Sequence, residues 1–340
     1  LRVHALSRTT KTAPQLVLAG DIGGTKCNLA VFAVASRGRL KPLRRRRFAT
    51  KDYEHSSFEA MVSDFLAQSG VKKISHAGFA SAGVLVEGNF QSTNLPWAVT
   101  GVKLRKALRL RRVLLLNDLE ATARSLDHLS RHDFLVLNNG IAQPRAPRAL
   151  IAAGTGLGEA ILVWEWNRYR AIASEGGQVD FAPRNDREIE LLHFLRKQRK
   201  NVCCEDVLSG RGFRSIHQFL APDARHASFG SEAGGEAEEI TRLGLNGECS
   251  TCAETLNIWV SIYGAEAGNL ALKVLAFGGV YVAGGIALKI LPRLRDGRFV
   301  HAFCDKANGM EKPLSRIPIR VVMNEDAPLL GAALAATADN

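Results

Sequence analysis

Three observations predict an α/β protein built from two related lobes. The chain has 340 residues, more than one compact core usually spans, so two domains are expected. Short runs of Val, Leu, Ile and Ala alternate with segments of helical spacing, the pattern of strands interleaved with helices. Such runs end in glycine turns in both halves: Gly20–Lys26, Gly154–Gly158 and Gly284–Gly285. The expected division is a small domain of residues 1–128 plus 320–340 and a large one of residues 129–319.

Residues 1–14 read as a basic extension, without periodic apolar positions and ending at Pro14. Leu16–Ala19 is a short strand that breaks at the first glycine turn; Leu29–Val34 and Leu43–Ala49 extend it into a meander. Ser57–Gln68 places Phe58, Met61, Val62, Phe65 and Leu66 on one helical face. Ile74–Ser81 then reads as a strand, Val102–Leu108 as a helix, Val113–Leu116 as a buried strand and Leu119–Leu129 as a helix. Beyond the proline-flanked loop Gln143–Pro147, strands are expected at Ala149–Ala153 and Glu159–Trp164, and one around Phe181. Helices are expected at Asp186–Lys200 and Glu254–Leu275, and the polar stretch His226–Glu239 as a loop. Val280–Ala283 is a strand leading through Gly284 and Gly285 into a helix. Ile319–Val322 is the last strand and Pro328–Ala336 the last helix.

Composition excludes several classes. With 46% apolar and 23% charged residues the chain is not generally disordered. The net charge of +12 is concentrated: residues 1–51 hold 12 Lys and Arg against the single acid Asp21. The remainder is balanced, and no aromatic interleaving accompanies the basic run Arg44–Arg47, which reads as a solvated face; nucleic acid is not an expected partner. The longest apolar run, Val274–Leu288, is interrupted by four glycines and falls short of the roughly 20 residues a membrane helix needs. Leu16–Ala19 is cut off too early to serve as a signal sequence. Six cysteines in so long a chain form no dense disulfide framework, which favours a reducing, cytoplasmic setting. Cys249 and Cys252 have metal-ligand spacing, but no second pair or nearby His completes a set at ordinary spacing, so plain thiols are expected.

Glycine lets backbone N–H groups approach an anion closely, and small hydroxyl residues add donors. Three such turns, one carrying Asp and two carrying Thr, point to phosphate. The familiar frames are absent: there is no Gly-x4-Gly-Lys-Ser/Thr, and Gly154–Gly158 is GxGxG rather than GxGxxG. Neither a Gly-x-Ser-x-Gly elbow nor a His-Glu-x-x-His pair is present.

The segment Gly20-Asp21-Ile22-Gly23-Gly24-Thr25 resembles the first phosphate segment of the two-lobed actin-like kinases, an α/β fold of the ribonuclease H-like kind with small and large domains around a cleft. From about Leu16 to Ala336 the chain is similar to the bacterial glucokinases. The resemblance is carried by Leu116-Asn117-Asp118, Ala153–Gly158, Glu175–Pro183, Glu205–Gly210, Gly268–Leu272 and Val282–Ile286. It implies ATP-dependent phosphorylation of D-glucose at the 6-hydroxyl, with Mg2+ as cofactor, closure of the lobes to exclude water, and a homodimer.

For the base, the residues and the resemblance agree on Asp118. A poor nucleophile needs a carboxylate within reach of its proton. Asp118 follows an apolar strand, at the end where open α/β sheets place ligands. Helix capping through Asn117-x-x-Glu120 is the competing reading, and Asn117 can do both jobs. The resemblance further implies Asn117, Asp118, Gly156, Glu175, Gln178 and Glu205 at the sugar. It implies Gly20, Asp21, Ile22, Gly23, Gly24, Thr25, Lys26, Gly154, Thr155, Gly156, Gly284 and Gly285 at the nucleotide, with Asp21 orienting the metal ion through water. Without it, Glu175 reads as a polar turn and Glu205 as the start of a short helix.

Two departures stand out. Gln178 replaces a frequent His, still able to donate and accept. Lys26-Cys27-Asn28 replaces a frequent Asn-x-Arg, and Lys26 is open between a phosphate point charge and a solvated strand residue. Two alternatives remain: a kinase for another hexose or amino sugar, and a non-catalytic sugar-sensing or actin-like binding protein. A DNA-binding repressor on this fold is disfavoured by the short segment before the first strand. The cysteine cluster of one sugar-kinase branch is missing between Gly177 and Ser209.

Overall fold

The structure is a computed structural model that describes residues 15–35, 39–71, 73–86, 88–91, 95–223 and 235–337. The basic extension and most of the expected loop at His226–Glu239 lie outside them. The chain divides into two compact units, Leu1–His128 with Pro328–Asn340, and Leu129–Ala327.

The first unit begins with β1 (Leu16–Ile22), β2 (Lys26–Val34) and β3 (Leu40–Ala49), followed by α1 (Phe58–Ser69) and β4 (His76–Ser81). A small hairpin, β5 (Val84–Val86) and β6 (Asn89–Gln91), precedes α2 (Gly101–Ala107), β7 (Arg112–Asn117) and α3 (Asp118–Ser125). Its five-stranded sheet has the order β3-β2-β1-β4-β7. β1 pairs antiparallel with β2 and parallel with β4, which pairs parallel with β7. Strand alternation sends Leu18 and Ile22 into one core with Phe58, Met61, Phe65 and Leu104, and Val17 and Ala19 into another with Ala121. Ser57 caps α1 by accepting the Ala60 N–H at 3.1 Å, and Gly70 ends it in the left-handed conformation.

The second unit contributes β8 (Phe134–Asn139), β9 (Arg148–Ala153), β10 (Leu157–Glu165) and β11 (Arg168–Ser174). The helices α4 (Asp186–Arg196), α5 (Cys204–Val207), α6 (Gly210–Leu220), α7 (Gly235–Asn246) and α8 (Ser250–Val274) follow. β12 (Val280–Ala283) then leads to α9 (Gly285–Lys289), α10 (Leu291–Leu294), α11 (Arg298–Cys304), α12 (Glu311–Leu314) and β13 (Pro318–Val322). The sheet order is β11-β10-β9-β12-β13-β8. α8 supplies Leu256, Trp259, Val260 and Tyr263 to the core beneath it, where Phe213 stacks on Trp259 at 4.8 Å. The last helix, α13 (Ala327–Thr337), belongs to the first unit.

Several expectations need correction. A boundary at 319/320 would cut β13, which is hydrogen-bonded between β12 and β8; the division falls after Ala327. Gly20, Asp21 and Ile22 continue β1, so the first turn is only Gly23–Thr25 and Lys26 opens β2. No strand forms at Phe181; the neighbouring Asp180 makes only an isolated bridge with Cys203. The helix α7 takes up the second part of the expected loop at His226–Glu239, from Gly235 onward. β8 and β11 were not anticipated. β11 is joined to β10 by Trp166 and Asn167, both with positive φ, a hairpin turn without the glycine that normally announces it. No helix of the described residues is long and apolar enough to cross a membrane.

α13 approaches α3 so closely that a methyl group on Gly331 would overlap the Ala121 carbonyl oxygen. Gly331→Ala is expected to destabilise the protein by about 1–3 kcal/mol or more, because backbone rather than a flexible side chain must yield. A thermal unfolding midpoint equal to wild type would contradict this.

Candidate active site

In the first unit the expected residues converge on one edge of the sheet. Ile22 pairs with Ser81, and Ser81 with Asn117, so the carboxyl ends of β1, β4 and β7 end in register. With neighbouring strands about 4.8 Å apart, the row is about 10 Å across. Asp21 continues the alternation of Val17 and Ala19 and so lies on the α3 face of the sheet, and Asp118 opens α3 itself. This is the edge at which parallel α/β sheets receive ligands.

Asp118 is half-buried, and its Oδ1 accepts the Leu119 N–H at 2.9 Å. Burial pushes its carboxyl above the ordinary range, with the Leu119 hydrogen bond opposing. Asn117 caps α3: its Oδ1 accepts from Leu119 N at 2.8 Å and Glu120 N at 3.4 Å, while its Nδ2 donates to Gly83 O at 3.1 Å. The capping reading therefore holds for Asn117. Glu120 does not complete a box; its Oε1 instead accepts from Arg124 Nη2 at 2.9 Å.

Asp21 is held by Asn28 Nδ2 at 3.2 Å, and Asn28 Oδ1 accepts from Arg47 Nε at 3.0 Å. Asn28 lies opposite both Asp21 and Arg47 in the two ladders of β2. Arg47, which is exposed as expected, thus also donates to Asn28, the residue that stands where the resemblance leads one to expect Arg. Arg46 lies over the Phe48 ring at 4.9 Å. The turn is closed by Gly23 N donating to Lys26 O at 3.0 Å and by Thr50 Oγ1 donating to Gly23 O at 2.8 Å. Gly24, Thr25 and Lys26 are exposed. Gly20 is different: a methyl group there would press on Phe79 and Leu29, so packing alone requires glycine.

In the second unit the other two glycine turns are neighbours. β9 and β12 run parallel with Ala152 opposite Ala283, so Gly154 and Gly284 leave adjacent strands at the same end. Gly284 has φ +90°, and a Cβ there would collide with the Ala153 carbonyl, so only glycine fits. The turn at Gly154–Gly156 is gripped by Glu205, whose Oε2 accepts the Leu157 N–H at 3.0 Å. Its Oε1 accepts from Arg211 Nη2 at 3.2 Å. Gly210 N donates to Gly154 O at 2.9 Å, tying the start of α6 to the same turn.

Glu175 and Gln178, both exposed, bracket a 3-10 turn at Gly176–Gln178. Gln178 Oε1 accepts from the Cys203 thiol at 3.6 Å. Gln178 and Glu205 share a cavity of about 670 Å³ with Asp180, Cys203, Asp206 and Arg211, ample for a sugar. A polar cavity of about 460 Å³ elsewhere, lined by Asn185, Glu188, Asn257 and His301, contains none of the expected residues.

Sequence reasoning missed Ser81 and Cys203 because their partners, Ile22 and Gln178, are distant in sequence, and Asn28 and Arg211 because no motif marks their contacts with Asp21 and Glu205. It also missed Glu159, 2% exposed, directly beneath Gly176. Burial, reinforced by Glu266, raises its carboxyl from 4.5 to about 7.

Comparison with known proteins gives consistent findings. The glucokinase family model matches residues 18–339. A glucokinase from Nostoc sp. is 36% identical over 94% of this chain and 98% of its own length, and that of Trichormus variabilis is equally similar, at 36% with the same coverage. Among solved structures, a glucokinase from an Antarctic psychrotroph superposes with a TM-score of 0.82 at 29% identity, covering 95% of this chain and 98% of the other.

Proposed function

The chain belongs to the glucokinase family, and from that premise we propose that it transfers the γ-phosphoryl group of ATP to the 6-hydroxyl of D-glucose, giving glucose 6-phosphate. Its α/β architecture is that of the two-domain actin-like ATPases. The observation that carries the site assignment is the register row of Ile22, Ser81 and Asn117, with Asp21 and Asp118 at its two ends.

Asp118 takes the proton of the attacking hydroxyl. Its raised basicity suits that role, since a carboxylate in the ordinary range is a poor proton acceptor at neutral pH. The Leu119 N–H fixes Oδ1 and leaves Oδ2 as the acceptor. The exposed Gly24 and Thr25 of the first turn and Lys26 at the start of β2 face the phosphates, and Asp21 is the metal-orienting carboxylate. A single carboxylate held at 3.2 Å by Asn28 fits Mg2+, which keeps most of its waters and binds few protein ligands. When bound, that ion neutralises charge on the phosphate oxygens.

In the second unit, Glu175, Gln178 and Glu205 accept from sugar hydroxyls, Gly156 lies against them, and Gly154 and Thr155 face the phosphoryl group. Gly284 and Gly285 face the adenosine. A cytoplasmic setting and a homodimer complete the proposal; a monomer in sedimentation would remove the latter. Sugar-phosphate formation measured with a panel of hexoses and amino sugars, each with ATP, polyphosphate or ADP as donor, tests the assignment. Turnover selective for glucose with ATP is expected, and preference for another sugar or donor would overturn it. Glu205→Gln is expected to raise KM for glucose roughly tenfold or more, the effect of weakening a hydrogen bond to a charged group. An unchanged KM would remove Glu205 from the sugar site.

A further inference from the structure

Three metal-ligating side chains lie together in the second unit and take no part in phosphoryl transfer. Cys249 is the N-cap of α8, Cys252 follows in its first turn, and His217 lies in the last turn of α6. One imidazole nitrogen and the two sulfurs all lie within 4.8 Å of one another. His217 is 1% exposed and Cys252 fully buried, whereas Cys249 is half-buried. The sequence expectation that no histidine completes Cys249-x-x-Cys252 is therefore corrected: the packing of α6 against α8 supplies one.

We propose that His217, Cys249 and Cys252 bind a zinc ion that clips α6 to the start of α8. Two cysteines separated by two residues at a helix start can share one tetrahedral ion, and a distant histidine is a common third ligand. Thiolate and imidazole donors select zinc over magnesium, which prefers oxygen. Cys252 N donates to Cys249 Sγ at 3.3 Å, fixing that sulfur over the helix start. α7 closes one side, with Gly244 packed against the Cys252 backbone. Three protein ligands leave the fourth position of a tetrahedral ion to water, and Cys249 is the half-buried member of the set. As each Zn–S bond forms, the thiol proton leaves to solvent.

The test uses the full chain, reduced and stripped of metal. Zinc is titrated in competition with a chromophoric chelator, and cobalt(II) serves as the spectroscopic probe. One zinc per chain and a thiolate-to-cobalt charge-transfer band are expected. Both should be lost in Cys249→Ser, in which serine remains a good N-cap and the protein therefore stays folded. Zinc should also raise the unfolding temperature of wild type and not that of Cys249→Ser. Substoichiometric zinc, or cobalt binding without the charge-transfer band in folded wild type, would overturn the proposal and leave Cys249 as a cap alone. A charge-transfer band retained by Cys249→Ser would overturn the assigned ligand set.

Discussion

Asp118→Asn lowers kcat for glucose phosphorylation by roughly 10²–10⁴-fold, the range ordinarily lost with a general base. The substitution is nearly isosteric, and the Asn side-chain oxygen can still accept the Leu119 N–H that Asp118 Oδ1 accepts at 2.9 Å. The start of α3 is also capped independently by Asn117. The loss should therefore appear in kcat, with KM for glucose changing less and the unfolding midpoint close to wild type. Coupled ADP-release kinetics and thermal unfolding on the same preparation separate these outcomes. Wild-type turnover in a folded Asp118→Asn protein would remove Asp118 as the base. The elevated carboxyl of Asp118 arises first from burial, opposed by the Leu119 N–H. Substitutions that open this edge to water should accordingly reduce its basicity.

Glu159→Gln is expected to make the protein more stable at neutral and alkaline pH relative to its effect in acid. Glu159 is 2% exposed, its Oε1 has no hydrogen-bond partner among the described residues, and its carboxyl is raised from 4.5 to about 7. The causes are burial first, then the charge of Glu266; Lys273, 3.7 Å from Glu266, opposes both. Below pH 4.5 both folded and unfolded chains carry the proton, and no penalty exists. As pH rises from 4.5 to about 7 the unfolded chain ionises while the native state holds its proton, so stability falls. Above that window the native carboxylate is ionised in place and the whole penalty, about 3 kcal/mol, persists. Glutamine never ionises. Its own cost of burial is the same at every pH, so the difference between urea unfolding free energies at pH 5 and pH 8 is the readout. Parallel stability profiles for the two proteins would refute the assignment. Glu159 lies beneath Gly176, a residue of the segment that carries Glu175 and Gln178.

Much of the first unit was legible in the residues. Its meander, the helix at Phe58–Ser69 and the strand before Asp118 rest on short-range signals: apolar spacing along one helical face and short apolar runs. Those signals also blurred boundaries. Gly20 and Asp21 were assigned to a turn because glycine usually breaks strands, whereas here Gly20 is needed for close packing on Phe79 within β1. β11 escaped notice because the chain reverses at Trp166 and Asn167 without glycine. α6 begins Gly210-Arg211-Gly212, a composition that reads as a loop until the Ser209 cap and tertiary packing offset it.

The candidate site divides along the same line. The residues alone picked out the segments proposed to bear the chemistry: glycine turns after strands and a carboxylate after β7, all set by local backbone geometry. Only the tertiary structure decided what those groups touch. Glu205 grips the backbone of Leu157 from 48 residues away, Arg47 reaches Asn28 across a ladder, and His217 comes to Cys249 and Cys252 through helix packing. The protonation of Asp118 and Glu159 was equally invisible in sequence, because desolvation depends on how many groups from distant segments exclude water at one point.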